Sequence, residues 1–161
     1  MKTPWLPAPT PIPQGLVGDG WRLRPLTVHD VVKDYDAVMS SRAQLWELFG
    51  PGSDWPLESL SLEQDLIDLA WHQKEFQLRT SFTYTLVTLD GERVLGCVYV
   101  MPPPPPPTST DRDADVYHWV RSSEHASGLD AELARRLAQW FADEWPFARV
   151  AYPGRSHPHA Q

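Results

Sequence analysis

A chain of 161 residues can hold one domain with a packed core, because a domain of about 150 residues buries roughly 70% of the surface its unfolded chain exposes. Its 14 basic and 21 acidic residues give a net charge of -7 with no basic run, a field that excludes nucleic acid and anionic membranes as expected partners. The proline-broken start MKTPWLPAPTPIPQG cannot form a signal-peptide core, and no apolar run approaches the roughly 18 residues of a membrane span, so a cytoplasmic protein is expected.

Residues 1–20 are rich in proline and glycine and are expected to form an extended arm that contributes little to the core. WRLRPLT then alternates through Trp21, Leu23 and Leu26, a short strand whose end Pro25 marks. From His29-Asp30 the stretch VVKDYDAVMSSRAQLWELF reads as helix, with Val31, Tyr35, Val38, Leu45, Trp46 and Phe49 at core positions, until GPGSDWP breaks it. Ser61 and Gln64 form a capping-box pattern ahead of Leu62, Leu66, Leu69, Ala70 and Phe76, which predicts a second helix over 61–78.

FTYTLVTL and RVLGCVYVM are β-rich runs joined by the turn residues Asp90-Gly91-Glu92, so adjacent antiparallel strands are expected. The single cysteine, Cys97, excludes an internal disulfide and reads as a small buried hydrophobe. Prolines 102–107 cannot donate ladder hydrogen bonds; the strand stops there and a solvated polyproline linker follows. ADVYHWV is the next strand. A helix over 129–144 carries the apolar stripe Leu129, Leu133, Leu137, Trp140 and Phe141, with Arg135 and Arg136 on its solvated flank. ARVAY is the last strand. In the tail, 156–161, His157 and His159 have no carboxylate or cysteine nearby; disorder is expected there, and no metal site. Strand, two helices, three strands, helix, strand predicts an α/β (α+β) fold: a mostly antiparallel mixed sheet, flanked by helices, with one crossover about the last helix.

Three of these pieces resemble one family. WRLRPLTVHD resembles the L-R-P-L-x-x-x-D opening of the GNAT superfamily of N-acetyltransferases, and DGERVLGCVYV resembles its central hairpin. ADVYHWV is similar to the A-E-L-x-Y-W-V strand of the branch that acetylates the N-termini of ribosomal proteins. The resemblance implies a single GNAT-like domain over 21–155, splayed open between the fourth and fifth predicted strands. It implies acetyl-CoA in that splay as co-substrate, and an amine acceptor, either a small molecule or a protein N-terminus, arriving from the other side. Set against the family, the usual C-terminal helix and hairpin are expected to be lacking. The unpaired sheet edge then predicts a homodimer in which a second subunit completes the site.

The family's loop after the fourth strand, R/Q-x-x-G-x-G/A, holds the pyrophosphate on backbone amides and a helix N-terminus. Aligned here it gives His125, Ala126, Ser127, Gly128, Leu129 and Asp130, with Trp119 and Val120 as the backbone that meets the pantetheine arm. Ser127-x-x-Asp130 is a capping-box pattern, which predicts a helix capped by its own side chains. A carboxylate about 4 Å from a phosphate oxygen would also cost roughly 1 to 4 kcal/mol. His125 restores positive charge only where it is protonated.

Val116, His118 and Val120 share one face of the strand; Asp115, Tyr117 and Trp119 share the other. His118 is the candidate general base, directly or through a water, or else a packed strand histidine. Glu124 is a second candidate, or a solvated loop carboxylate. Trp46, Phe49 and Trp55 around the GPGSDWP break are candidates for an acceptor wall, or ordinary packing residues. No metal is implied. Two functions follow from the resemblance: an acetyl-CoA-dependent N-acetyltransferase acting on a primary amine by direct attack, and a GNAT-fold binding or assembly module without catalysis.

Overall fold

The computed structural model describes residues 3–155; the tail with His157 and His159 lies outside the described residues. Strands β1 (Leu16–Val17), β2 (Trp21–Pro25), β3 (Phe82–Thr88), β4 (Val94–Met101), β5 (Ala114–Val120) and β6 (Val150–Ala151) lie side by side in chain order. Neighbours are antiparallel except β5 and β6, which run parallel. Helices α1 (Val31–Ser40), α2 (Arg42–Leu45) and α3 (Leu62–Leu78) follow β2, and α4 (Leu129–Glu144) connects β5 to β6. This is the α/β architecture that the order of elements predicts, with β1 and the short α2 added.

The expected split of β5 into two faces is what divides the core. Val116, His118 and Val120 are buried on the side of Leu129, Leu133, Leu137, Trp140 and Phe141 from α4. Trp119 is buried on the other side with Ala37, Val38 and Leu45, and its indole N–H donates to the Tyr99 hydroxyl at 3.1 Å. Gly96 pairs with Val120, and there a Cβ would lie 2.0 Å from the Trp119 carbonyl oxygen, so only glycine lets β4 approach β5 this closely.

Three expectations are corrected. The N-terminal arm belongs to the core: Leu6 is buried, Trp5 stacks on Phe147 at 5.2 Å, and Leu16 joins the sheet. Arg79, in left-handed conformation at the end of α3, donates to the carbonyls of Leu6, Pro7 and Thr10, while the Tyr84 hydroxyl donates to Pro13. Prolines remove N–H donors but leave every carbonyl available as an acceptor, and these contacts anchor the arm.

The first helical stretch breaks at Ser41, whose Oγ accepts from the Ser122 amide at 2.9 Å. Val38 and Leu45 are core, but Trp46 falls beyond the break and is 42% exposed. In α3, Ser61 caps as expected by accepting from the Gln64 amide at 3.0 Å, yet the Gln64 side chain turns to Asp68. Leu62, Leu66 and Ala70 face out, because the inward period runs through Asp65, Leu69, His72 and Phe76.

Candidate active site

β5 and β6 pair at only two positions, Ala114 with Val150 and Asp115 with Ala151. Beyond these β5 continues to Val120 with no β6 partner, which leaves a cleft between its free edge and the segment after β6. The Arg121 amide donates to Leu95 in β4, so by alternation the peptide groups of His118 and Val120 turn away from β4, toward the cleft. The carbonyl of Val120 accepts from Gln44 in α2 at 3.2 Å, and that of His118 accepts from Arg155 at 2.7 Å.

Arg155 is the residue that organises the cleft. Beyond the turn at Pro153-Gly154, its guanidinium reaches the His118 carbonyl and also makes a bidentate pair with Asp130, both contacts at 3.0 Å. Burial pushes the Asp130 carboxyl up, but the hydrogen bonds and charge of Arg155, helped by the fields of His118 and His125, outweigh this and hold it below its usual range.

The predicted capping box is therefore absent. Gly128 takes the cap position in left-handed conformation, and no side chain caps α4. Ser127, one residue outside the cap, donates instead to the Glu124 carbonyl at 2.7 Å. The first-turn amides of α4 point past an exposed loop formed by His125, Ala126, Ser127 and Gly128, with Leu129 buried beneath as core.

The other strand-end residues are structural ties. Arg121 is buried and joins the loop to α1 through Asp36 at 2.8 Å and Ser40 at 3.1 Å. Glu124 is paired with Arg93 at 2.7 Å. The His118 side chain has no exposed surface, and its ring meets the buried Tyr152 ring edge-on at 6.0 Å.

A second concavity, of about 480 Å³, lies across the sheet between α1, α3, β4 and the 46–56 segment. Phe49 and Trp55 line it, as the sequence suggests; Trp46 does not. Phe49 packs edge-on against both Tyr99 at 4.9 Å and Tyr117 at 5.0 Å, so an aromatic cluster joins the cavity wall to β4 and β5.

Asp34, Asp65, Cys97 and His72 also line the cavity, and pattern reading missed all four as site residues. Burial, then the neighbouring Asp65 carboxyl, pushes Asp34 well up; burial also pushes Asp65 up, partly offset by its hydrogen bond with Asp34. The Cys97 thiol donates to Asp34 at 3.5 Å, and burial raises it too. Burial lowers His72 against the opposing pull of Asp68, and its Nδ1 lies 3.3 Å from the Thr83 hydroxyl.

No family model matches the chain, and no curated protein matches it in sequence. Solved structures do match its fold. Ribosomal-protein-S5-alanine acetyltransferase from Vibrio fischeri superposes with a TM-score of 0.63 at 14% identity, over 84% of this chain and 71% of that one. Ribosomal L7/L12 α-N-protein acetyltransferase in complex with coenzyme A gives 0.58 at 17%, over 78% and 66%. Microcin C7 self-immunity acetyltransferase in complex with acetyl-CoA and AMP gives 0.57 at 15%, over 82% and 68%. The curled six-stranded sheet and its flanking helices are the GNAT fold, the fold of these acetyltransferases.

Proposed function

We propose that the protein is an acetyl-CoA-dependent N-acetyltransferase acting on a primary amine by direct attack. The observation that carries this reading is the charge balance at the cleft: Arg155 neutralises Asp130, and the α4 N-terminus beside it has no side-chain cap.

The residues present fit acetyl-CoA. Residues 126–129 and the first-turn amides of α4 would hold the pyrophosphate, and His125 would add positive charge where protonated. The cleft-facing backbone of β5, at His118 and Val120, would meet the pantetheine arm; Trp119, expected there, turns its own peptide groups toward β4. When bound, the cofactor supplies an acyl group activated as a thioester. Gly128 leaves open space where a Cβ would stand, so the loop presents backbone to the ligand.

An acceptor amine becomes a nucleophile only after losing its proton. The His118 side chain is buried beside Tyr152 and Glu124 is paired with Arg93, so a group with an accessible lone pair is the better base. His72 in the cavity is held neutral at pH 7, and when its Nδ1 donates to Thr83 its Nε2 offers a free lone pair. Phe49 and Trp55 provide the acceptor wall. The same reading includes a cytoplasmic location and a homodimer formed at the open β6 edge; solution mass across micromolar concentrations tests the dimer.

One observation favours the second reading, a binding module without catalysis: Arg155 spans the cleft and takes the His118 carbonyl. The experiment is amine-dependent release of free thiol from acetyl-CoA across a panel of primary amines. Release above the amine-free background is expected. None with any amine, from protein that is folded, contradicts the transferase reading.

A further inference from the structure

We propose that the cavity between α1, α3 and β4 is a binding site for an organic ammonium ion, a primary amine on an apolar or aromatic body, recognised by the Asp34–Asp65 carboxyl pair. As the acceptor site it rests on the acetyltransferase reading; as a cation site it stands without it.

Geometry leads to this conclusion. Asp34 and Asp65 both line the cavity and are 3% and 2% exposed, and the buried Asp65 Oδ2 has no hydrogen-bond partner among the described residues. No ion pair of the described residues includes Asp34, Asp65 or Asp68. The arginines anchored on the α1 side are already committed, Arg24 to Asp30 and Arg121 to Asp36. Two carboxyls in contact share one proton and keep one negative charge between them. A buried charge of that kind calls for a counter-ion, and the described residues supply none.

The surroundings select the kind of cation. Phe49, Trp55, Trp71, His72 and Tyr99 line the same cavity, and aromatic faces attract an ammonium while accepting an apolar body. A bare metal ion would need several oxygen, nitrogen or sulfur ligands converging, and no group of three or more such residues could hold one among the described residues. The volume of about 480 Å³ is that of a small-molecule site. Asp30, Asp68, His72, Cys97 and Tyr99 are the other titratable groups around the pair; two are carboxylic acids, and burial lowers His72, the one base among them, so it is not a standing cation at pH 7.

The test is calorimetric titration of the full chain, without acetyl-CoA, with 2-phenylethylamine and with its uncharged counterpart 2-phenylethanol. The amine is expected to bind at least about tenfold more tightly than the alcohol, as a charge-assisted contact requires. Asp65→Asn is expected to remove that preference while leaving the alcohol's affinity in place. Equal affinities, no binding of either probe at millimolar concentration, or an unchanged preference in Asp65→Asn would each overturn the proposal. If the variant does not fold, the amine and alcohol comparison on the native protein decides alone. Titrating acetyl-CoA separately keeps the two readings apart: tight amine binding without acetyl-CoA binding sinks the transferase role and leaves the cation site standing, and the converse sinks only the cation site.

Discussion

The cleft beside β6 holds a half-buried carboxylate and the cavity beneath α3 holds buried ones, and they differ in what stands next to them. In the cleft Asp130 has a bidentate arginine and is held below its ordinary value; in the cavity Asp34 has another acid, a thiol and aromatic rings, and is pushed well above. Burial acts in the same direction on both, so the partner decides the outcome. A cleft that balances its own charge beside an uncapped helix start suits a phosphate-bearing ligand. A cavity that keeps negative charge under aromatic rings suits a cation. Phe49, Tyr99 and Tyr117 pack together on the cavity side of the sheet.

The largest expected effect comes from breaking the strand both sites share. Trp119 is fully buried on the cavity side of β5, so Trp119→Ala should cost about 3 to 5 kcal/mol of stability, read from the denaturant midpoint. A loss under about 1 kcal/mol would show that the indole does not hold the two faces together.

Asp34→Asn tests the cavity's half of the contrast. The folded value of Asp34 is raised, so the native state holds an extra proton above the ordinary carboxylate range near 4 and loses stability as pH rises from there toward the raised value. The variant lacks this loss. Its melting temperature should gain on the native protein as pH rises from 4 to 7. A constant gap across that range would mean that the cavity stores no electrostatic cost.

Glu124→Gln should have the smallest effect. Its pair with Arg93 is largely solvated, so the change should cost under about 1 kcal/mol and leave thiol release from acetyl-CoA intact. A fall of roughly a hundredfold in that rate would instead assign Glu124 the role of base.

The parts of this architecture that follow a simple period were readable from the sequence. β-rich runs on either side of Asp90-Gly91-Glu92 placed β3 and β4, the two-residue period of β5 assigned His118 and Trp119 to opposite faces, and the stripe from Leu129 to Phe141 placed α4. What failed was long-range or polar. Ser127-x-x-Asp130 is a local capping pattern, but its aspartate is claimed by an arginine 25 residues further on, which no window around the helix start contains. Asp34 and Asp65 sit on the inward period of their helices, with Val38 and Leu69 one turn on, and a reading that ranks positions by hydrophobicity passes over an acid there. A polar residue in step with the buried face was the available signal. The arm was misjudged because proline content was read as absence of packing, although Trp5, Leu6, Ile12 and Leu16 all meet the core.

Arg155 decides between the two accounts of the cleft, and calorimetric titration of acetyl-CoA into native protein and Arg155→Met tests them directly. If Arg155 serves to neutralise Asp130, the native protein binds and the variant binds about tenfold more weakly or worse. If Arg155 closes the cleft, the native protein does not bind and Arg155→Met does, which would contradict the transferase account.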